Sequence, residues 1–213
     1  MRWAVEAHKA RRRLYPVTVV YSAVTAVALL YALRASLHAA ALSWALGVAA
    51  WTWVEYMVHR YILHGVFPDG PGMQRWTHRL FDHLHVEHHE RPWDGSHING
   101  TIRDTGAFLL LPFLLALLLP PQTLLAFLAG FVQAYVVEEW VHHSVHFYHF
   151  GNRYFRYIKR HHLYHHSRRG QDIGFGLTNA MWDVVYGTRI PADVRAALRA
   201  PRPARKSPPL QPA

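Results

Sequence analysis

Lys159-Arg160-His161-His162-Leu163-Tyr164-His165-His166 is the stretch on which the fold turns. His162, His165 and His166 are spaced i, i+3 and i+4, positions that share one face of an α-helix. Three imidazoles can therefore converge on one place. The same spacing occurs in His85-Val86-Glu87-His88-His89, and two further groups pair His59 with His64 and His142 with His146. Neutral imidazole is a ligand for iron, copper, nickel and zinc. Ten such ligands exceed what one ion takes, so about five each for two metal ions is the expected use. His59 and His64 fit least well. Five residues apart, they stand about 140° round an ideal helix, so they serve different metals or sit on a distorted turn.

Outward from the histidines the chain is apolar. Residues 15–33 carry only one Ser and two Thr among apolar side chains, long enough to cross a bilayer, which takes about 20 residues. A cleaved signal peptide competes, with an Arg-rich flank and an Ala-rich end, but the run exceeds the usual h-region of roughly 7–15 residues. Residues 36–57 form a second run, with Trp44, Trp51, Trp53 and Tyr56 suited to a membrane interface. This helix is expected to continue to residue 65 and carry His59 and His64. Residues 67–72 read as a loop, residues 73–90 as a helix closed by Pro92, Asp94 and Gly95. A short third run (106–119) ends in Pro120-Pro121 and a fourth (122–141) follows at once, predicting a tight helical hairpin. The spacing predicts a helix over 155–167, broken by Gly170, Gly174 and Gly176. The expected fold class is thus all-α: an integral membrane protein with about four transmembrane or deeply inserted helices under a helical cap. Its parts are a basic N-terminus (1–14), a membrane domain (15–190) and a disordered basic tail (191–213) with five Pro from Pro201 on.

Composition narrows the function. Among 213 residues there is no cysteine, which excludes disulfides, thiolate metal sites and thiol nucleophiles. The formal charge of +10 suits nucleic acid or an anionic membrane face; the apolar runs favour the membrane, and no nucleic-acid motif is present. With Arg11-Arg12-Arg13 placed in the cytoplasm by the positive-inside rule, four crossings bring all ten histidines to the cytoplasmic side. His8, His38, His97 and His149 read as interface residues. His78, His83, His143 and His161 lie near the clusters as alternative ligands or supports. Glu55, Glu138 and Glu139, one turn before His59, His142 and His143, and also Asp183, are candidates to orient ligating imidazoles. No catalytic residue is expected beyond the metal ligands.

Four motifs in order, His59-x4-His64, His85-x2-His88-His89, His142-x3-His146 and His162-x2-His165-His166, resemble the membrane fatty acid hydroxylase and sterol desaturase superfamily. The long gap from His64 to His85, Pro92 and Asp94 after the second cluster, and Gly174-Phe-Gly-Leu-Thr178 with Trp182-Asp183-x2-Tyr186-Gly-Thr188 look like its fatty acid 2-hydroxylase branch. The resemblance covers about residues 45–190. It implies a dinuclear site, with iron expected for activity and zinc possible in isolated protein, that uses dioxygen to hydroxylate a lipid acyl chain. A haem electron carrier fused to some relatives has no room here, so a separate electron-transfer protein is implied. Arg153, Arg156, Lys159 and Arg160 offer a basic face for it or for a lipid headgroup. The compact Ala- and Arg-rich chain suits a bacterial inner membrane. Within the superfamily a sterol or carotenoid oxidase or a desaturase competes. From another class comes a metal transporter, disfavoured because transport sites lie near the bilayer midplane. A zinc peptidase is disfavoured by the lack of His-Glu-x-x-His.

Overall fold

The computed structural model describes residues 2–65, 85–116 and 122–199. The expected loop at 67–72, most of the expected helix at 73–90 with His78 and His83, the Pro120-Pro121 turn and residues 200–213 lie outside them. Among the described residues the chain is helical, without strands. Helix α1 spans Arg2–Leu33, so it already includes the basic N-terminus. Ser36 then caps α2 (Leu37–Met57), its hydroxyl accepting from the Ala39 amide at 3.3 Å. A π-helical segment, Val58–Leu63, extends α2. After α3 (Glu87–Glu90) come α4 (Ile102–Ala116), α5 (Gln122–Phe147), α6 (Arg153–His165), α7 (Met181–Val185) and α8 (Ala192–Arg199).

Of about four expected spans, three helices among the described residues are long and apolar enough to cross a membrane: Trp3–Leu33, Leu37–Leu63 and Gln122–Phe147. The described part of the third apolar run lies in α4, whose 15 described residues reach about 22 Å. The outer faces are apolar. Val19, Val27, Leu30 and Leu42 are 64–69% exposed, an arrangement water would penalise and lipid tails accept. The structure also corrects the tail. Residues 192–199 coil into α8, because an Ala-rich octet between Pro191 and Pro201 carries Asp193 in its first turn.

Cross-helix bonds fix directions. Trp44 donates to Gln133 (2.7 Å) and Trp51 to Glu138 (2.6 Å), so α2 and α5 run parallel. Trp140 donates to Thr18 (3.0 Å) and Gln133 to Thr25 (3.2 Å), so α1 runs antiparallel to both. The start of α1 and the ends of α2 and α5 thus share one end of the bundle.

Inside a bilayer, helices associate by close packing rather than by escape from water. Gly47 and Gly130 permit it reciprocally. A Cβ on Gly47 would lie 1.9 Å from the Phe127 carbonyl oxygen, and one on Gly130 2.0 Å from that of Trp44. Beside this seam Trp51 packs edge-on against Phe131 (4.8 Å) and Tyr135 (5.3 Å). Gly130→Leu is expected to cost about 3 kcal/mol and lower the thermal midpoint in detergent by roughly 6–12 °C. An unchanged midpoint would show that the backbones do not touch there.

Candidate metal centre

The ten histidines gather at the shared end of the bundle in two groups of five. His59, His64, His85, His89 and His165 form one; His88, His142, His146, His162 and His166 form the other. Within each group the candidate ligand nitrogens all lie within 4.8 Å of one another.

Local helix geometry explains the division. Measured from residue i, position i+4 is turned by about 40° and i+3 by about 60° the other way. A trio therefore straddles a seam instead of converging on one place, as its spacing first suggested. His85 and His89 go to the first group and His88 to the second; His162 and His166 go to the second and His165 to the first. The i, i+4 pair His142 and His146 stays together. His59 and His64 also share a group, and here the π segment decides. The His64 amide donates to the His59 carbonyl at 3.1 Å, a bond closed five residues back. That brings residues five apart onto one side, where an α-helix would separate them. Each group is thus two stacked pairs plus one imidazole crossing from the other trio.

The donor set fits a metal. In the second group Nε2 atoms approach at 3.0 Å (His88–His142), 3.2 Å (His142–His146), 2.8 Å (His146–His162) and 3.0 Å (His162–His166). In the first, His64 Nε2 lies 2.8 Å from His85 Nε2 and 3.0 Å from His165 Nε2. Two nitrogens held at right angles about 2.1 Å from a common ion stand about 3.0 Å apart. Hydrogen bonding alone cannot satisfy such a cluster, because each neutral ring has one N–H and one in-plane lone pair. Tautomers agree. His59 Nδ1 meets the Phe175 carbonyl, and His165 Nδ1 meets those of Ile173 (2.9 Å) and Gly170 (3.2 Å). A carbonyl only accepts, so Nδ1 carries the proton and Nε2 presents a lone pair inward. The buried His59 Nε2 has no hydrogen-bond partner among the described residues. Burial, reinforced by neighbouring imidazoles, lowers His64 to about 3, while His85, His88 and His162 fall well below the ordinary histidine value. His165 falls to about 4 through burial, against its carbonyl bonds. All are held in the neutral, ligating form.

The carboxylates do other work than expected. Glu55 accepts from the Leu177 amide (2.6 Å), the Thr178 amide (2.8 Å) and the Thr178 hydroxyl (2.6 Å). Glu138 accepts from Trp51; Glu139 accepts from Asn99 (2.6 Å) and Tyr135 (2.8 Å). Among the described residues none of the three hydrogen-bonds a clustered imidazole. The side chains leave α2 and α5 toward neighbouring helices and loops, and carbonyls of residues 170–175 orient His59 and His165 instead. His143 is buried against Trp140, Phe147 and Tyr148, outside both groups. His161 also stays outside and meets Asp183 at 3.2 Å. Asp183 is the hub of this loop: fully buried, it accepts from the Phe175 (2.9 Å) and Gly176 (3.0 Å) amides and the Thr188 hydroxyl (2.8 Å). Gly174 adopts φ +75°, which only glycine takes readily. Lys159, expected on a docking face, is turned inward onto the Val145 (2.5 Å) and Tyr148 (3.0 Å) carbonyls at the end of α5. Sequence reasoning missed the carbonyls altogether; the Gly170, Gly174, Gly176 cluster was the available sign of unusual backbone there.

The fatty acid hydroxylase family model matches residues 44–188, a segment from α2 through α7 that holds all ten histidines and Asp183. The chain belongs to the fatty acid hydroxylase family. A dihydroceramide fatty acyl 2-hydroxylase of Arabidopsis thaliana is 36% identical over 146 residues, 68% of this chain and 59% of that protein. The fatty acid 2-hydroxylase of Mus musculus is 31% identical over 159 residues, 72% of this chain and 41% of the relative. This family member therefore spans about half the length of the curated relatives it matches. Among solved structures, full-length scs7p with only its hydroxylase domain visible superposes with a TM-score of 0.70 at 28% identity, covering 88% of this chain and 68% of that one.

Proposed function

We propose that this protein is a membrane lipid hydroxylase that replaces one C–H of an acyl chain by C–OH. The observation that carries the proposal is the pair of five-imidazole groups at one end of an apolar helical bundle, supported by relatives named as fatty acyl 2-hydroxylases. The first group would hold one metal ion and the second group the other. Two iron ions bound there supply the redox chemistry that activates dioxygen. The overall balance takes the substrate C–H, one dioxygen, two electrons and two protons to the alcohol and water. The electrons come from a separate electron-transfer protein. Carbonyl-locked tautomers keep the rings aimed without rearrangement, and burial of the clusters excludes water that would divert the oxidant. The apolar helices below receive the acyl chain. Arg11, Arg12 and Arg13 at the same end support a cytoplasmic placement of the centre.

Expression in a host under labelled dioxygen, followed by lipid mass spectrometry, tests the reading. The expected product is an acyl chain carrying one labelled oxygen, absent with His162→Ala/His165→Ala. Fragmentation locates the carbon. A loss of two hydrogens instead would assign a desaturase, and labelled oxygen on a sterol or carotenoid would assign another branch. A metal-loaded protein that consumes no dioxygen with lipid and a reduced donor would sink the enzymatic reading.

A further inference from the structure

Away from the histidines, an open cavity of about 460 Å³ lies between α1 and the first turn of α4, lined by Arg13, Pro16, Thr101, Ile102, Arg103 and Asp104. Neither guanidinium forms a close ion pair among the described residues, and the buried Glu139 carboxylate acts on Arg13 only at longer range. Arg13 donates to the Asn99 carbonyl, from Nε at 3.4 Å and Nη2 at 3.3 Å. Asn99 is itself fixed, donating to the Glu139 carboxylate (2.6 Å) and carbonyl (3.1 Å). Arg103 is exposed. The one acid present is already engaged: Asp104 Oδ2 accepts from the Thr101 amide (2.7 Å) and hydroxyl (2.6 Å). The lining therefore keeps a net positive charge, two guanidiniums against one carboxylate, with Arg13 in a preset position.

The depth of the cavity identifies its occupant. Arg13 is the last charge before the apolar run of α1, and Tyr15, two residues on, sits 5.8 Å from Trp140 of α5. Such aromatic pairs mark the membrane–water boundary. At this level two guanidiniums face Pro16 and Ile102, so the ligand must join a phosphate-like anion to an apolar tail. Guanidinium suits phosphate through paired, charge-assisted hydrogen bonds, and anionic lipid is enriched where such basic residues lie. We infer that Arg13 and Arg103 clamp the phosphate of a phospholipid headgroup, at a site separate from the metal centre and independent of its chemistry.

Lipid retention by the purified full-length chain in detergent, read by native mass spectrometry, tests the clamp. Three probes are compared: phosphatidylglycerol, diacylglycerol and inorganic phosphate. Phosphatidylglycerol is expected to be retained, and Arg103→Gln or Arg13→Gln to weaken it roughly tenfold. Arg12→Gln, an exposed arginine outside the cavity, is expected to change it little. Arg103→Gln alters no packed residue, so it keeps the test valid even if Arg13→Gln misfolds. Arg103→Lys should retain part of the affinity, since charge survives without the paired bonds. Equal weakening by Arg12→Gln would overturn the clamp in favour of diffuse surface charge. Equal retention of diacylglycerol would show an apolar groove only, and competition by inorganic phosphate at matched concentration would show a free-phosphate site.

Discussion

His162→Ala/His165→Ala is expected to leave the protein without bound metal, whereas His162→Ala/His166→Ala is expected to retain about one ion per chain. Both double variants remove two imidazoles from the same short segment at the end of α6, so charge and volume change alike. Only the assignment differs. His162 and His166 belong to the second group, and His165 belongs to the first. Removing two of five ligands from one group leaves the other intact; removing one from each, with the rest fixed by helix geometry, leaves two defective sites. Metal content by mass spectrometry after dialysis against a weak chelator reads the difference. Lipid hydroxylation should fall at least about 100-fold in both, since changes merely to partners of metal ligands already cost 10–100-fold. Equal metal retention in the two variants would mean that each trio serves one ion, and the crossed grouping would be abandoned.

That grouping marks the boundary of what the sequence reveals. The ten histidines, their placement near helix ends and the expectation of two ions come from spacing, and the helical membrane architecture from the apolar runs. Which imidazole joins which ion does not, because it depends on a rotation of about 40° against about 60° and on where the neighbouring helix stands. The π segment is a second case. His59 and His64 look mismatched at five residues apart until the His64 amide is seen to close on the His59 carbonyl, and no side-chain pattern announces that bond. Carboxylates at i−4 from a ligand invited a role in orienting it, yet Glu55 points to the Leu177 and Thr178 amides. Main-chain acceptors took the role, and every residue carries one, so the type of residue 175 says nothing of it. Lys159 shows the same difficulty in reverse: a basic residue in a basic run turns inward because three carbonyls end α5 beside it.

Asp183→Ala is expected to loosen the first metal group while sparing the second. Burial pushes this carboxyl up, but bonds from His161, Thr188 and Gly176 outweigh it and hold it below the ordinary value, so it stays charged. Its loss strands the Phe175 and Gly176 amides in a dry interior, while the Thr188 hydroxyl keeps the Tyr56 hydroxyl as a partner. Each stranded donor costs about 1–3 kcal/mol, so destabilisation on the order of 4 kcal/mol is expected, a drop of roughly 8–16 °C in thermal midpoint. The functional consequence runs through residue 175. Its amide is tied to Asp183 and its carbonyl receives the His59 Nδ1 proton, so freeing the amide lets the carbonyl swing and His59 lose its fixed tautomer. Metal affinity of the first group should fall about 10–100-fold. Two backgrounds separate this from general unfolding. In His162→Ala/His166→Ala, where only the first group holds an ion, adding Asp183→Ala should release it to chelator. In His59→Ala/His165→Ala, where only the second group does, the ion should remain, because His88, His142, His146, His162 and His166 touch neither Asp183 nor residue 175 through any hydrogen bond among the described residues. Release to the same extent in both backgrounds would show that Asp183 supports the fold as a whole and does not aim His59.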